Sequence, residues 1–115
     1  MELLLNEHRE ELLANGRANA KREEPIDFKP VVKLFCPWGG ATWLLTELDP
    51  EDSDIAFGLC DLGLGFPELG SVRISEIESL RGPGGLRIER DLTFEAGKTL
   101  SAYADEAARL QRINA

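Results

Sequence analysis

Residues 31–62 read VVKLFCPWGGATWLLTELDPEDSDIAFGLCDL. Two turn signals divide this stretch into three apolar runs. Pro37, Trp38, Gly39 and Gly40 form the first, where glycines admit positive φ. Asp49, Pro50, Glu51, Asp52, Ser53 and Asp54 form the second. The runs between them are rich in β-branched and aromatic residues, so strands are expected over residues 31–36, 41–48 and 55–62. Short connections make them an antiparallel meander. Centring the turns predicts a register. Cys36 should face Thr42, Leu34 should face Leu44, and Val32 should face Thr46. Across the second turn, Leu48 should face Ile55, Thr46 should face Phe57, and Leu44 should face Leu59. Because strand side chains alternate, Val32, Leu34, Leu44, Leu48, Ile55, Phe57 and Leu59 then share a core face. Lys33, Phe35, Trp43, Leu45, Glu47, Gly58 and Cys60 share the other. Phe35 and Trp43 become a cross-strand aromatic pair, and Cys36 and Cys60 fall on opposite faces, unable to bond.

Outward from the meander, residues 63–70 are a glycine-punctuated loop and residues 71–74 a fourth strand. Ser75, with Glu76, Ile77 and Glu78 behind it, reads as a capping box opening a short helix, which Gly82, Pro83, Gly84 and Gly85 stop. Alternation over residues 87–94, with Ile88, Leu92 and Phe94 to one side, suggests an additional strand. Thr99 should start a last helix with Leu100, Tyr103, Ala107 and Leu110 inward, followed by a frayed tail at 111–115. At the other end, residues 2–14 read as a helix with Met1, Leu5, His8 and Leu12 on one face, stopped by Asn15 and Gly16. His8 there is a boundary histidine. Residues 17–30 are a polar connector that can hold one extra turn of helix. The expected fold is α+β: a meander of three or four strands, plus a strand near 87–94, with N-terminal, C-terminal and one short helix packed on one face.

At 115 residues, the chain is expected to be one domain burying roughly 65% of its unfolded surface, enough for a core without staples. No run approaches the roughly 20 apolar residues of a membrane span, and the start lacks the basic region of a secretory signal. A cytoplasmic protein is expected. The formal charge is −8. Residues 34–72 hold seven carboxylates (Glu47, Asp49, Glu51, Asp52, Asp54, Asp61, Glu68) and no Lys or Arg. That disfavours a nucleic-acid partner, since phosphate contacts need clustered cations.

The candidate chemical motifs are weak. The 49–54 turn fails a calcium-loop template: position six would be Asp54 where glycine is needed, and position twelve would be Cys60 where glutamate is needed. Two cysteines and a single histidine do not make a zinc site. Neither glycine-rich loop fits a phosphate cradle, because the Lys-Ser/Thr of a P-loop is missing. His8 is the only histidine base for a nucleophile. Glu47, Asp61 and Glu68 could act as acid and base, but no spacing pairs them. The reading leans away from an enzyme and implies no catalytic residue, metal or cofactor.

Several ordered motifs carry a resemblance: VVKLF at 31–35, ATWLLTELDP at 41–50, FGLCDLGLGFPELG at 57–70, LRGP at 80–83 and IERDL at 88–92. With LLANG at 12–16 and LSAY at 100–103, they cover nearly the whole chain. The sequence resembles the bacterial family called domain of unknown function 2958. The resemblance implies a small accessory protein of plasmids and integrating elements, and it implies no site residues.

Function is therefore expected to be interaction with a basic protein partner. The acidic residues Asp49, Glu51, Asp52, Asp54 and Glu68, or the sheet face of Phe35 and Trp43, would meet it. Neutralising the four acids of the 49–54 turn should leave stability equal or slightly higher. The alternatives are a small enzyme or ligand-binding module on the Trp43 face, and a DNA-mimic protein of anti-restriction type.

Overall fold

A computed structural model describes residues 2–115. In chain order the elements are α1 (Asn6–Ala20), β1 (Val32–Phe35), β2 (Thr42–Leu48), β3 (Ile55–Asp61), β4 (Glu68–Arg73), α2 (Ile74–Ser79), a 3₁₀ turn (Pro83–Gly85), β5 (Glu89–Arg90) and α3 (Leu100–Leu110). One antiparallel sheet runs in the order β4-β3-β2-β1-β5. The fold is α+β, with the three expected helices and the meander in place. The extra strand near 87–94 exists but is only two residues long. Ile88 is buried beside it, whereas Leu92 is 72% exposed, so the alternation over 87–94 does not mark one buried face.

The predicted register is corrected in two places. Between β1 and β2, Leu34 faces Trp43 and Phe35 faces Thr42, one residue away from expectation. The first turn is tighter than the glycines suggested, since Cys36 N–H still bonds to Ala41 O at 2.9 Å. Between β2 and β3, Leu44 faces Leu59 as expected, but a bulge at Thr46 shifts the remaining pairs, so that Glu47 faces Phe57 and Leu48 faces Ala56. A bulge inserts one unpaired residue and re-aims the chain beyond it. Here it puts Leu45 and Leu48, an odd spacing apart, on the same face. Gly58 permits the close approach opposite, because a Cβ there would stand 1.9 Å from Leu44 O.

The consequence is a sheet covered on both faces, not one. On the first face, Val32, Leu34, Trp43, Leu45, Leu48 and Ala56 pack with Leu3, Leu4 and Leu12, and with Ile74 and Ile77 of α2. On the second, Leu44 and Leu59 pack with Leu100, Tyr103 and Ala107 of α3, with Phe57 at the margin. The separation of Trp43 from Leu44, Leu59 and Phe57 is as expected. The Phe35–Trp43 pair is not present: Leu34 occupies the place across from Trp43. Cys36 and Cys60 are both free and pack against the same cluster, so they do not lie on opposite faces.

Two termini also depart from expectation. The first helix begins at Asn6, after Leu3 and Leu4 have entered the core, and runs through Asn15 and Gly16 to Ala20. Met1 lies outside the described residues. Gly16 is a contact residue here, not a stop: a Cβ would stand 1.8 Å from Leu48 O. Asn15 beside it donates to Thr46 O at 2.9 Å, satisfying the carbonyl freed by the bulge. The tail at 111–115 does not fray. Ile113 is 8% exposed, and its N–H bonds to Asp61 Oδ2 at 3.0 Å.

Candidate functional site

A cleft of about 660 Å³ opens on the α3 side of the sheet, at the end where α1, the 25–28 segment and the start of α3 converge. Each wall is a product of the fold. The bulge swings Glu47 outward, and Asn19, one helical turn beyond Asn15, donates to its carboxylate at 2.8 Å. The same Asn19 accepts the Ile26 N–H at 2.7 Å, which ties the 25–28 segment to the helix end. That segment then reaches α3. Phe28 O accepts Leu100 N–H at 2.9 Å, and Asp27 accepts the Ser101 N–H at 3.0 Å together with the Ser101 hydroxyl.

The floor is apolar, built from Ile55, Phe57 and Leu69, with Ile26 at one side. The charged lining is Asp27, Glu47 and Asp49, with no Lys or Arg. Burial raises the Asp27 carboxyl, but the bonds from Ser101 and Thr99 outweigh it, and the group lies below its ordinary value. Asp49 accepts the Glu51 N–H at 2.8 Å within its own turn. Chemically, this arrangement can hold an apolar body that carries a positive charge. Among the described residues, no three of His, Cys, Asp or Glu come together as metal ligands.

The residues singled out from sequence scatter. Trp43 is 4% exposed, inside the core beneath α2, and reaches the surface only as part of the wall of a hollow beside α2 and β4. Phe35 is half-buried on the opposite face. Asp49 and Glu51 are exposed, and Asp49 alone of the five acids reaches the cleft. Asp52 binds Arg73 at 3.2 Å. Asp54 binds Arg73 at 3.5 Å, accepts Ser75 N–H at 2.9 Å and accepts the Ser75 hydroxyl at 2.6 Å. Ser75 bonds, led by its hydroxyl, hold the Asp54 carboxyl below its ordinary value.

The start of α2 is therefore capped by Asp54 from the turn, and Ser75 is not the cap. Asp54 thus has a structural task at α2 that the expectation of equal or slightly higher stability on neutralising the 49–54 acids did not include. Glu68 is exposed at the start of β4, opposite Cys60 and away from the cleft. Sequence reasoning missed Asn19, Ile26 and Asp27, which fall in or beside the stretch read as a connector. The available signal was Asn15 and Asn19 at helical spacing, hidden because Asn15-Gly16 reads as a helix stop.

His8 is half-buried and accepts the Leu5 N–H at 3.1 Å. Burial, then the nearby Arg90 charge, lower its pKa. Arg90 itself is buried and donates to Glu2 O and Leu3 O at 2.7 and 2.8 Å. These groups anchor the N-terminal segment, and none of them lines the cleft. No helix among the described residues is long and apolar enough to cross a membrane.

No curated protein and no solved structure matches the chain. A family model described as "Protein of unknown function (DUF2958)" matches residues 3–114, and the chain belongs to that family.

Proposed function

We propose that this chain is a binding module whose cleft takes a basic, apolar-containing segment of a partner protein. The observation that carries the reading is the cleft lining: an apolar floor with Asp27, Glu47 and Asp49 at its edge and no cation among them. Carboxylates around an apolar floor steer cationic segments toward it and select them over acidic ones. The rest of the acidic stretch adds to that field, while Asp52 and Asp54 are engaged internally by Arg73 and Ser75. A nucleic-acid backbone is the wrong partner for such a surface. In the cell the module acts as a cytoplasmic accessory protein of mobile genetic elements, which the resemblance to the family supports.

Selection of displayed random linear peptides against the full chain tests the reading. Retained sequences should be enriched in Lys or Arg next to aliphatic or aromatic residues. Their affinity should fall with added salt, and it should drop several-fold in the doubly neutralised Glu47→Gln, Asp49→Asn variant. Retained peptides without basic residues, or affinity indifferent to both salt and the double variant, would refute it.

A further inference from the structure

We infer that the partner segment binds by strand addition to the outer edge of β4; this rests on the cleft reading above and names its mode. The two sheet edges differ. β5 is two residues long, which leaves little to pair with. β4 has six residues, Glu68–Arg73, without proline or lysine and with no buried side chain along its length. Edges are usually blunted by shortness, proline or charged side chains; β4 carries charge only at its two ends, Glu68 and Arg73, and none over Leu69–Val72.

The free backbone groups can be assigned. Ile74 N–H donates to Asp54 O at 2.8 Å, continuing the ladder toward β3. Backbone groups alternate sides along a strand. Val72 and Gly70 therefore also face β3, opposite Ala56 and Gly58. Leu69 and Ser71 face outward. Their N–H and C=O groups have no partner among the described residues.

The surroundings fit an added strand on both faces. Leu69 and Ser71 line the cleft on the α3 side. On the opposite face Val72, Ile77 and Leu80 line a second hollow of about 500 Å³. A strand beside β4 sends alternate side chains toward each, which is how strand addition combines main-chain affinity with side-chain selectivity. Ahead of the start of β4, Leu64 and Phe66 are 73% and 76% exposed.

Charge decides the occupant. Residues 34–72 carry seven carboxylates and no cation, and Arg73 at the end of β4 is taken up by Asp52 and Asp54. Two copies joined edge to edge would bring those fields together. A basic extended segment neutralises one.

The test uses the ¹⁵N-labelled full chain and the tightest synthetic peptide from the selection above. Strand addition predicts that the Leu69 and Ser71 amides exchange fast in the free protein and slow by about tenfold or more with peptide. Gly70 and Val72, already paired with β3, serve as protected controls. Ser71→Pro removes an outward N–H without touching the β3 ladder, as edge positions allow. It should keep the fold and lose at least about tenfold in affinity, the step that corresponds to about 1.4 kcal/mol.

A peptide that shifts the Phe57 and Leu69 side-chain resonances while the Leu69 and Ser71 amides stay fast would overturn strand addition and leave the cleft reading standing. No retained peptide would overturn both. Concentration-dependent protection of those amides without peptide, with dimers in sedimentation, would make the occupant a second copy and overturn the proposal.

Discussion

Asp54 and Asp27 perform the same task at different helices. Each accepts a serine N–H and hydroxyl at the second helical residue, Ser75 of α2 and Ser101 of α3, from a loop distant in sequence. An N-cap contributes by satisfying amides that the helix leaves free. Asp27→Ala should therefore cost about 1 kcal/mol by chemical denaturation, and loosen the 25–28 segment with it. Both carboxyls lie below their ordinary values, so the folded state binds fewer protons than the unfolded chain at acid pH. Their stabilisation is complete above the ordinary carboxylate value and disappears as pH falls through the lowered folded values. Urea midpoints of Asp27→Asn and Asp54→Asn should be less sensitive to acid than the native midpoint, and an unchanged acid limb would remove these caps from the account. Gly16 is the other decisive residue. Gly16→Ala drives a methyl into Leu48 O, with an expected loss of about 1–3 kcal/mol, as for overpacked cores.

At the scale of elements, β2 carries both halves of the core. Its buried run Trp43, Leu44, Leu45, Thr46 sends side chains to both faces, and the bulge then returns Leu48 to the α1 side. Leu44→Ala should cost about 2–5 kcal/mol in the α3 cluster, and Leu45→Ala the same range in the α1 cluster. Thr46 O is held by Asn15, so Asn15→Ala leaves a carbonyl unpaired where α1 meets the bulge. The expected loss is about 1–3 kcal/mol, and amide exchange should rise along α1 and β2 before it does elsewhere. Uniform exchange across the sheet in that variant would show that the helix is not docked through this bond.

At the scale of the molecule, the chain ends close the structure. Arg90 draws in Glu2 and Leu3 through their carbonyls. Asp61, buried on the sheet, holds Gly63 N–H at 2.8 Å and Ile113 N–H at 3.0 Å. Lys33 reaches Asp91 at 3.5 Å and also donates to Ala115 O. Removing residues 111–115 uncovers Leu59 and Tyr103 and leaves Asp61 short of one donor. The shortened chain should melt measurably below the full one, whereas a frayed tail would leave the melting temperature unchanged.

The sequence by itself determined the order and kind of the elements, because apolar alternation and turn residues are local signals. The meander, the final helix with Leu100, Tyr103 and Ala107 inward, and the pairing of Leu44 with Leu59 were all legible from it. Only the tertiary structure decided which face each strand residue takes. One bulge at Thr46 and one residue of slip beside Phe35 invert the faces beyond them, and neither leaves a compositional mark. It also decided that Gly16 is a contact and not a stop, since the reason is an oxygen of Leu48 far along the chain. The cleft was illegible for the same cause. Asn19, Asp27, Glu47 and Leu69 are brought together by two helix ends and a bulge, and their spacing in the chain carries no trace of that meeting.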